Sequence, residues 1–469
     1  MANGPIHFRE ISPREPVEVA RKLKTYAHLA FLDSGKDPNG LGRYSYIGAD
    51  PFGVFRVIDG VASWNNSPID ATPFEALRAL LIQYQLPSHA DLPPFQTGAI
   101  GFLSYEAARF IEAVPGMVKP DAHMPDIEFG FYDVVFAHDH AENRSFILSS
   151  GWPEQVAARR HQRATERALW LLTALDKDAP PDTQNPAVEE WHFDVDRAQF
   201  EAFIAGTIER ILNGDLFQAN LAQRFAATIP NGFDPFTFYT NLRSMSPSTF
   251  GAYLGFGDVQ LASNSPERFL TLKDRHIEAR PIKGTAPRGA TPKEDAALAQ
   301  GLKDSMKDRA ENTMIVDLLR NDLSRVAEPF SVKVPILCGL ETYASMHHLV
   351  SVVEARLTKE HDGVDLIMAA FPCGSISGAP KIKAMEVISD VEAVPRGVYC
   401  GSIGYIGCDG AMDLSVAIRT VTFRHDEASF HAGGGITALS DPTEEYEETL
   451  VKAERIFRAF RLPNGEEDV

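Results

Sequence analysis

The chain has 469 residues, of which 44% are hydrophobic and 23% are charged, so it can bury large cores without cross-links. Its length favours two or three domains. The formal net charge of −19 argues against binding to nucleic acid or to anionic membranes. No apolar run approaches the ~20 residues of a membrane span, and the N-terminal sequence lacks an apolar signal segment, so we expect a cytoplasmic protein.

Predicted elements follow in chain order. Residues 1–150 should be mainly strands, because short β-rich runs such as 97–107 and 128–140 are bounded by turn residues. A helical pattern occupies 152–175. The segment 176–191, DKDAPPDTQNPAVEEW, is rich in Pro, Asp and Asn and poor in apolar residues, which predicts a linker. A helix capped by Asp196 should then run to about residue 213.

The second half of the chain mixes helices with strands. A helix with a break is predicted over 293–325, and another should begin after Asp441, with Pro442 at its first position. Strands are predicted at 330–337, 347–357 and 397–407. The four cysteines fit neither a disulfide framework nor a thiolate metal site, so we expect them to be reduced core residues. They are Cys338, Cys373, Cys400 and Cys408.

Acidic residues form an unusual pattern on two of these helices. After Asp441, Glu445, Glu448 and Lys452 are spaced at i, i+3 and i+7, which places them on one helical face. Acidic residues near a helix start also complement the helix dipole, so helix stability explains part of the pattern. Paired carboxylates from two helices would suit Mg²⁺. Glu311 on the earlier helix is the second candidate, although a solvated helix residue has the same pattern.

Two glycine-containing segments could approach an anion. The run AGGGIT, residues 432–437, would expose backbone N–H groups, or would simply form a tight turn. The segment 371–386 combines Gly374, Gly378, two serines and a helix start, which suits a carboxylate or phosphate, but it lacks the spacing of a phosphate loop.

Lys283 lies between Ile282 and Gly284 in RPIKGTAPRG, residues 280–289, at the end of a predicted strand. Apolar neighbours would desolvate the amine and lower its pKa. A lysine in that environment can act as a nucleophile. The ordinary structural alternative is a surface lysine in a turn.

In combination and in this order, the motifs resemble the chorismate-utilising enzyme family. The resemblance is strong over 195–462 and looser over 1–175, where FLDSG (31–35) and RYSYIGADP (43–51) carry it. The array comprises SPERF (265–269), PIKGT (281–285), DRAEN (308–312), HHLVS (347–351), GSISGAPK (374–381), GSIGY (401–405), IRT (418–420), GGGI (433–436) and EYEET (445–449).

The resemblance implies an α+β fold in which two large antiparallel β-sheets pack as a sandwich, with flanking helices and the active site in the cleft between the sheets. Residues 1–175 would form an N-terminal β-rich region with an amino-acid pocket. Residues 192–462 would form the chorismate-binding catalytic region. The two regions would contribute to a common core, so the 176–191 linker need not separate independent domains.

The resemblance also implies residue roles. Glu311 and Glu448 would bind Mg²⁺, supported by Glu445, and the metal would hold the ring carboxylate of chorismate. Glu267 resembles the general acid/base, and His348 the active-site histidine. Tyr405 and Arg419 would grip the enolpyruvyl carboxylate. Further substrate-binding positions are Gln218, Ser375, Gly378, Gly433, Gly434, Gly435 and Lys452.

Two positions, 218 and 283, distinguish between the branches of the family that the sequence resembles. Gln218 occupies the place where isochorismate and salicylate synthases carry a water-activating lysine, which favours ammonia as the nucleophile. Lys283 is alanine in anthranilate synthases and lysine in aminodeoxychorismate synthases. The sequence therefore favours amination of chorismate at C4 through a covalent Lys283 adduct. The nearest alternative is an anthranilate synthase large subunit, and a non-catalytic amino-acid-binding paralogue is the alternative outside enzymes.

The resemblance implies partners as well. The sequence shows no recognisable glutaminase segment, so ammonia should come from a separate glutamine amidotransferase subunit. Chorismate is the implied substrate. A tryptophan-sized pocket is expected around five residues of the N-terminal region. They are Leu32, Asp33, Ser34, Tyr44 and Ser45.

Overall fold

A computed structural model describes residues 6–35, 40–117, 124–181, 183–343, 346–392 and 394–461. The first five residues of the predicted N-terminal region and residue 462 of the predicted catalytic region lie outside these ranges. The helices in the described ranges are α1 (Pro16–Leu23), α2 (Pro73–Gln83), α3 (Ala157–Leu175), α4 (Arg197–Leu212), α5 (Pro235–Met245), α6 (Pro292–Asp304), α7 (Met306–Ser324), α8 (Gly363–Ala370), α9 (Lys381–Val391) and α10 (Pro442–Arg461).

Strands make up most of the remaining structure. In chain order they are β1 (His7–Ile11), β2 (Leu29–Asp33), β3 (Tyr44–Gly48), β4 (Gly53–Ile58), β5 (Val61–Trp64), β6 (Ser67–Pro68), β7 (Gly98–Leu103), β8 (Ile127–Tyr132), β9 (Val134–Asp139), β10 (Arg144–Ser149), β11 (His192–Phe193), β12 (Gln218–Thr228), β13 (Phe250–Phe256), β14 (Val259–Ser265), β15 (Arg268–Lys273), β16 (His276–Ala279), β17 (Ile282–Pro287), β18 (Lys333–Thr342), β19 (Met346–Arg356), β20 (Gly378–Ala379), β21 (Ser402–Gly407), β22 (Met412–Val416), β23 (Thr420–Arg424) and β24 (Glu427–Ile436).

These strands form two antiparallel sheets, each with twelve strands in the described part of the chain. The first, sheet A, has the order β1-β10-β9-β3-β2-β13-β14-β23-β24-β12-β11, with β20 beside β12. The second, sheet B, has the order β17-β19-β16-β15-β22-β21-β7-β8-β4-β5-β6, with β18 beside β19. The predicted fold class is therefore confirmed. Both sheets contain strands from before and after the 176–191 segment.

Alternation of side chains along the strands of sheet A builds two hydrophobic cores. On β9, Val135 and Ala137 pack into the core shared with sheet B. Val134 and Phe136 point the other way, into a second core beneath the outer helices α3, α5 and α10. A third, smaller core joins α4 and α9 to the ends of β12 and β24. The sheets are thus stacked face to face with helices outside, as the sandwich prediction requires.

Local signals place several element ends where the sequence indicated. Asp196 caps α4 by accepting a hydrogen bond from the Gln199 backbone N–H at 2.8 Å. The predicted break in the 293–325 helix falls at Ser305, whose hydroxyl caps the new helix α7. Asp441 caps α10 through the backbone N–H of Thr443 at 2.9 Å.

Other boundaries differ from the predictions. Helix α3 begins at Ala157 rather than at residue 152, because a turn at Gly151–Pro153 with positive φ at Gly151 precedes it. Strand β21 begins only at Ser402, since residues 397–401 form a turn. All four cysteines are buried and free, which confirms the expectation of core thiols. Among the described residues, no helix combines the length and apolar character of a membrane span.

Candidate active site

Glu267 lies between β14 and β15 and is a buried carboxylate, only 4% exposed. Its Oε1 atom accepts a hydrogen bond from Ser375 Oγ at 2.7 Å and one from the Ile282 backbone N–H at 3.3 Å. Burial raises the pKa of Glu267 to about 7, although both hydrogen bonds and the nearby Lys283 ammonium act to lower it. Such a group can hold a proton near neutral pH and release it, as a general acid/base must.

Lys283 follows Ile282 on β17, so it lies beside Glu267 and not in a surface turn. Lys283 is partly buried. Burial lowers the pKa of Lys283, and the Lys452 ammonium acts in the same direction, while the carboxylates of Glu311 and Glu267 oppose the shift. The structure therefore gives this amine the desolvated setting that the sequence analysis anticipated.

Gly435 marks the point where Lys283 and Gln218 meet. A Cβ atom at position 435 would lie 2.1 Å from Gln218 Nε2 and 3.3 Å from Lys283 Nζ, so any larger residue would collide with the amide. Gln218 is 1% exposed, and no described residue donates a hydrogen bond to its Oε1 atom. A buried acceptor without a donor is costly, which makes Oε1 a position for a ligand N–H group.

The three glycines at 433–435 lie within strand β24, paired with residues 220–222 of β12. The tight turn considered for this run is therefore not present. A glycine inside a strand often marks close approach of another group. A Cβ atom at Gly434 would lie 2.9 Å from Glu445 Oε2 and 3.8 Å from both Glu448 Oε1 and Lys452 Nζ. The predicted shared face of α10 therefore packs directly on this strand.

The edge of β24 is open at these glycines. Strand β23 pairs with β24 only as far as Phe430, through a hairpin with a two-residue turn at 425–426. In such a hairpin the two residues that flank the turn, Arg424 and Glu427, are hydrogen-bonded to each other. Backbone groups alternate in direction along a strand, so Glu427 and every second residue after it direct their N–H and C=O groups to this edge. The Gly433 carbonyl indeed accepts a hydrogen bond from Lys452 Nζ there, at 2.7 Å. The backbone N–H groups of Gly433 and Gly435 face the same open edge.

The three predicted metal ligands occupy one region, and two of them, Glu445 and Glu448, already have partners in the protein. Glu445 accepts a hydrogen bond from Ser440 at 2.7 Å and lies 3.8 Å from the Lys307 ammonium. Glu448 pairs with Lys452 at 2.7 Å. Glu311 is partly buried, and burial raises its pKa, which disfavours the solvated-helix explanation. Within the described ranges, no three His, Cys, Asp or Glu side chains are grouped closely enough to hold a metal ion.

The donor chemistry of this region nevertheless fits Mg²⁺. Carboxylates on two helices offer the oxygen ligands that this ion prefers while it keeps several waters. Their negative charge is balanced here by the ammonium groups of Lys307 and Lys452. Burial acts to raise the pKa of Glu448, but the Lys452 and Lys307 charges outweigh it and lower that pKa. Glu448 is thus held ionised, as a metal ligand must be.

His348 and Arg419 lie near each other at the same cleft. His348 Nδ1 is 2.9 Å from Thr285 Oγ1 on the neighbouring strand β17. Burial, with the Arg419 charge nearby, lowers the pKa of His348 to about 4, so this histidine is neutral at physiological pH. Burial beside Arg455 lowers the pKa of Arg419 to about 10, and no carboxylate of the described residues pairs with it. An unpaired, desolvated guanidinium is suited to a carboxylate ligand.

Ser375 and Gly378 form part of the wall around Glu267 and Gln218. Ser375 lies in a short 3₁₀ turn, Gly374–Ile376, and directs its hydroxyl to Glu267. A Cβ atom at Gly378 would lie 2.2 Å from the Gln218 carbonyl oxygen, so the two segments pack backbone to backbone. These residues therefore shape the site. The Ser375 hydroxyl donates its hydrogen bond to Glu267 and not to a ligand.

A cavity of about 370 Å³ lies away from this cleft, between the N-terminal strands and sheet B. Leu32, Asp33, Ser34 and Tyr44 line it, as predicted for an amino-acid pocket. Ser45 does not line it. Because side chains alternate along β3, Tyr44 and Tyr46 face the cavity while Ser45 points to the opposite face of sheet A. The Ser45 hydroxyl accepts a hydrogen bond from the Ser34 backbone N–H at 3.1 Å, so Ser45 supports the pocket segment without lining the cavity, and its place in an amino-acid pocket stays a prediction.

Tyr405 also lines this cavity instead of lying beside Lys283. Its ring centroid is 4.6 Å from that of Phe95 and 5.6 Å from that of Tyr46. Tyr405 on β21 pairs with Asp413 on β22. Glu267 contacts β22 three residues further on, where its carbonyl accepts a hydrogen bond from the Val416 backbone N–H. Tyr405 therefore lies at the cavity and not beside Glu267, which contradicts its predicted contact with the enolpyruvyl carboxylate.

Sequence reasoning missed several residues of both sites. Lys307 was overlooked although it directly precedes DRAEN, and Thr285, the partner of His348, is the last residue of PIKGT. Tyr46 could have been found from strand alternation, since it follows Tyr44 by two positions. Phe95 joins the cavity cluster only through tertiary packing, which no local pattern indicates.

Stacked antiparallel sheets that hold a buried acid, a desolvated amine and an unpaired guanidinium together form the site of an enzyme for a small anionic molecule. The chain belongs to the chorismate binding enzyme family, whose family model matches residues 30–458.

Relatives from two branches of the family are similar over nearly the whole chain. Aminodeoxychorismate synthase component 1 of Escherichia coli is 37% identical, over 91% of this chain and 92% of its own length. Anthranilate synthase component 1 of Thermus thermophilus is 35% identical, over 95% of both chains. The crystal structure of anthranilate synthase component I from Streptococcus pneumoniae superimposes with a TM-score of 0.79 at 32% identity, covering 90% of this chain and 93% of that one.

The raised pKa of Glu267 predicts a pH-dependent cost to stability. Between the ordinary value of 4.5 and about 7, the folded chain keeps a proton on Glu267 that the unfolded chain has lost. The stabilisation associated with that proton is complete below pH 4.5 and is lost as pH rises to about 7. Relative to Glu267→Gln, we expect the wild-type free energy of unfolding to fall across this window by up to about 3 kcal/mol.

Urea denaturation of the two proteins at each pH measures this difference directly. Glu209→Gln, at an exposed position on α4, serves as the control and should run parallel to wild type. Parallel wild-type and Glu267→Gln curves would mean that Glu267 titrates near its ordinary value.

Proposed function

We propose that the chain aminates chorismate to 4-amino-4-deoxychorismate, using ammonia from a glutamine amidotransferase partner, in the synthesis of p-aminobenzoate and folate. The observation that carries this proposal is the position of Lys283, a desolvated amine beside Glu267 and within reach of Gln218. Chain-wide identity supports the aminodeoxychorismate and anthranilate branches almost equally. Lys283 therefore decides between them.

In the first proposed step, the neutral Lys283 amine forms a bond to C2 of the ring. The two ring double bonds shift and the C4–O bond breaks. Glu267, which holds a proton near neutral pH, gives that proton to the departing hydroxyl, so water leaves. The products are a secondary ammonium on Lys283 and an ionised Glu267, and charge is conserved.

In the second proposed step, ammonia forms a bond to C4 and the double bonds return. The C2–N bond breaks, and Lys283 leaves as the neutral amine it was at the start. The new C4 ammonium returns a proton to Glu267. The sum is chorismate plus ammonia giving 4-amino-4-deoxychorismate plus water. Gln218 Oε1, the buried acceptor without a described donor, would accept a hydrogen bond from the incoming ammonia.

Substrate orientation would depend on charged groups and hydrogen-bond donors that line the cleft. Arg419 offers a guanidinium to the enolpyruvyl carboxylate, and the Gly433 and Gly435 amides offer N–H donors at the open edge of β24. Neutral His348 can share a hydrogen bond with the substrate without adding charge. Glu311, Glu445 and Glu448 would hold Mg²⁺, which when bound supplies positive charge for the ring carboxylate.

Replacement of Lys283 tests the choice of branch. With ammonium as nitrogen source, Lys283→Ala should form aminodeoxychorismate at a sharply reduced rate, because the C2 adduct cannot form. Some amination at C2 should appear at high ammonium, and it would give anthranilate once the enolpyruvyl group leaves as pyruvate. The measurement is chromatographic identification of products. Lys303→Ala, an exposed lysine on α6, should match wild type.

The adduct itself is detectable without turnover. Wild-type protein incubated with chorismate in the absence of ammonia should gain the mass of chorismate less one water on the peptide that contains Lys283. An unchanged rate and product in Lys283→Ala would remove the covalent mechanism. Anthranilate as the sole wild-type product would instead place the chain in the anthranilate branch.

The metal proposal is tested on α10. Glu448→Gln should lose chorismate turnover and weaken Mg²⁺ binding, measured by calorimetry on the substrate-free protein, while thermal melting stays close to wild type. The neighbouring Glu447 points outward to pair with Arg197 at 2.7 Å, so Glu447→Gln should retain both properties. Normal turnover by Glu448→Gln at limiting Mg²⁺ would exclude Glu448 from the metal site.

The proposed partner is a separate glutaminase subunit. The isolated chain should use ammonium but not glutamine, and glutamine-dependent turnover should appear when the amidotransferase is added. Equal rates with glutamine and ammonium in the isolated chain would contradict this arrangement.

The cavity near Tyr44 is proposed to hold free tryptophan. Its volume of about 370 Å³ lies in the range of small-molecule pockets, and Tyr44, Tyr46, Phe250 and Tyr405 contribute aromatic side chains to its wall. Tryptophan should release heat on titration into wild type and much less into Tyr46→Ala. No heat with wild type at millimolar tryptophan would contradict the assignment.

A further inference from the structure

Arg396 is a buried cation, only 3% exposed. Its Nε and NH2 groups donate to the Glu392 carboxylate, both at 2.7 Å. Its NH1 group donates to the Ile376 carbonyl at 3.2 Å, and NH2 also donates to the Asn220 carbonyl. The guanidinium plane lies 4.7 Å from the ring centroid of Tyr105. All three guanidinium nitrogens are therefore hydrogen-bonded.

The two carbonyls that Arg396 holds belong to the segments that carry site residues. Ile376 follows Ser375, whose hydroxyl donates to Glu267. Asn220 lies two residues after Gln218 on β12, and its backbone N–H donates to the Ser377 carbonyl at 2.9 Å. Arg396 thus joins the Ser375 turn to β12 through the two backbone carbonyls that it holds.

The network also extends into the first third of the chain. The Glu106 carboxylate accepts hydrogen bonds from the Arg396 and Gly397 backbone N–H groups, at 2.7 and 3.0 Å. Glu392 uses the same Oε1 atom for the Ala222 backbone N–H at 2.8 Å. These bonds fix the backbone of Arg396 and the direction of its side chain independently. The guanidinium consequently has little freedom to move without moving the turn at Ser375.

We propose that Arg396 is a positioning residue, which holds Ser375 in the orientation that donates a hydrogen bond to Glu267. A role in stability alone accounts poorly for this arrangement, because replacing buried ion pairs by apolar residues is often neutral or stabilising. The arrangement does suit geometric control, since the fork of a guanidinium fixes two carbonyls relative to one carboxylate. Its expected effect on turnover rests on the proposed function, but its effect on Glu267 does not.

The direct test is the proton equilibrium of Glu267 in the substrate-free protein. Its carboxyl band can be titrated by infrared difference spectroscopy and assigned by its absence in Glu267→Gln. Ser375→Ala should raise the Glu267 pKa, because a donor to the ionised carboxylate is lost. Arg396→Lys should raise it in the same direction. If Arg396 acts through Ser375, the double variant should match Ser375→Ala alone.

The other titratable groups that face Glu267 are Lys283 and the Cys373 thiol, and neither changes in these variants. Arg197→Lys is the matched control, because Arg197 pairs with Glu201 at the same i, i+4 spacing on an exposed helix face. It should leave the Glu267 pKa unchanged. Should Arg396→Lys fail to fold, Glu392→Gln takes its place, because it removes the charge that orients the guanidinium. Glu392→Gln is then compared alone and in combination with Ser375→Ala.

A folded Arg396→Lys or Glu392→Gln protein with the wild-type Glu267 pKa would overturn the proposal, and so would shifts that add in the double variant. In turnover, kcat should fall about 10- to 100-fold with little change in KM for chorismate, as for misplacement of an acid without loss of binding. If the wild type does not consume chorismate at all, the proposed function fails while the titration still decides the role of Arg396.

Discussion

The site depends on the absence of side chains at two successive positions of strand β24, Gly434 and Gly435. Gly434 lets the carboxylate face of α10 reach the backbone of β24, and Gly435 leaves room for Gln218 and Lys283 on the other side. Groups from four elements therefore converge on a few ångströms of backbone. A single methyl group at either position would collide with at least one of them. Close approach, rather than any special φ angle, is what these positions require.

Burial then gives the converging groups their chemistry. Desolvation disfavours the charged form of every ionisable group, so it raises the pKa of the Glu267 acid and lowers the pKa of the Lys283 amine. The two values move toward each other and toward neutrality. An acid that still holds a proton and an amine that can lose one thus become compatible at the same pH. Arg419 adds a positive charge without a carboxylate partner among the described residues, which suits an anionic ligand.

Patterns of short range were predictable from the sequence, and those that depend on partners across the fold were not. The shared face of α10 follows from helical spacing, and the cap at Asp196 from residue type. The two-sheet architecture came from the ordered motifs of the family. Three glycines in a row gave no sign of a strand, because intrinsic propensity opposes one and only the pairing with β12 imposes it. Tyr405 was misplaced because the register of a strand is set by its neighbours.

Both sheets interleave distant parts of the chain. Strand β2, at Leu29–Asp33, pairs with β13 at Phe250–Phe256, and β7, at Gly98–Leu103, pairs with β21 at Ser402–Gly407. Contacts of such long sequence separation must wait for the later strand and carry a loop-closure cost, which slows folding. During synthesis, the early strands would leave the ribosome with apolar faces and unpaired edges, and their partner strands would follow only hundreds of residues later. The nascent chain should therefore require protection from chaperones until its last strands emerge.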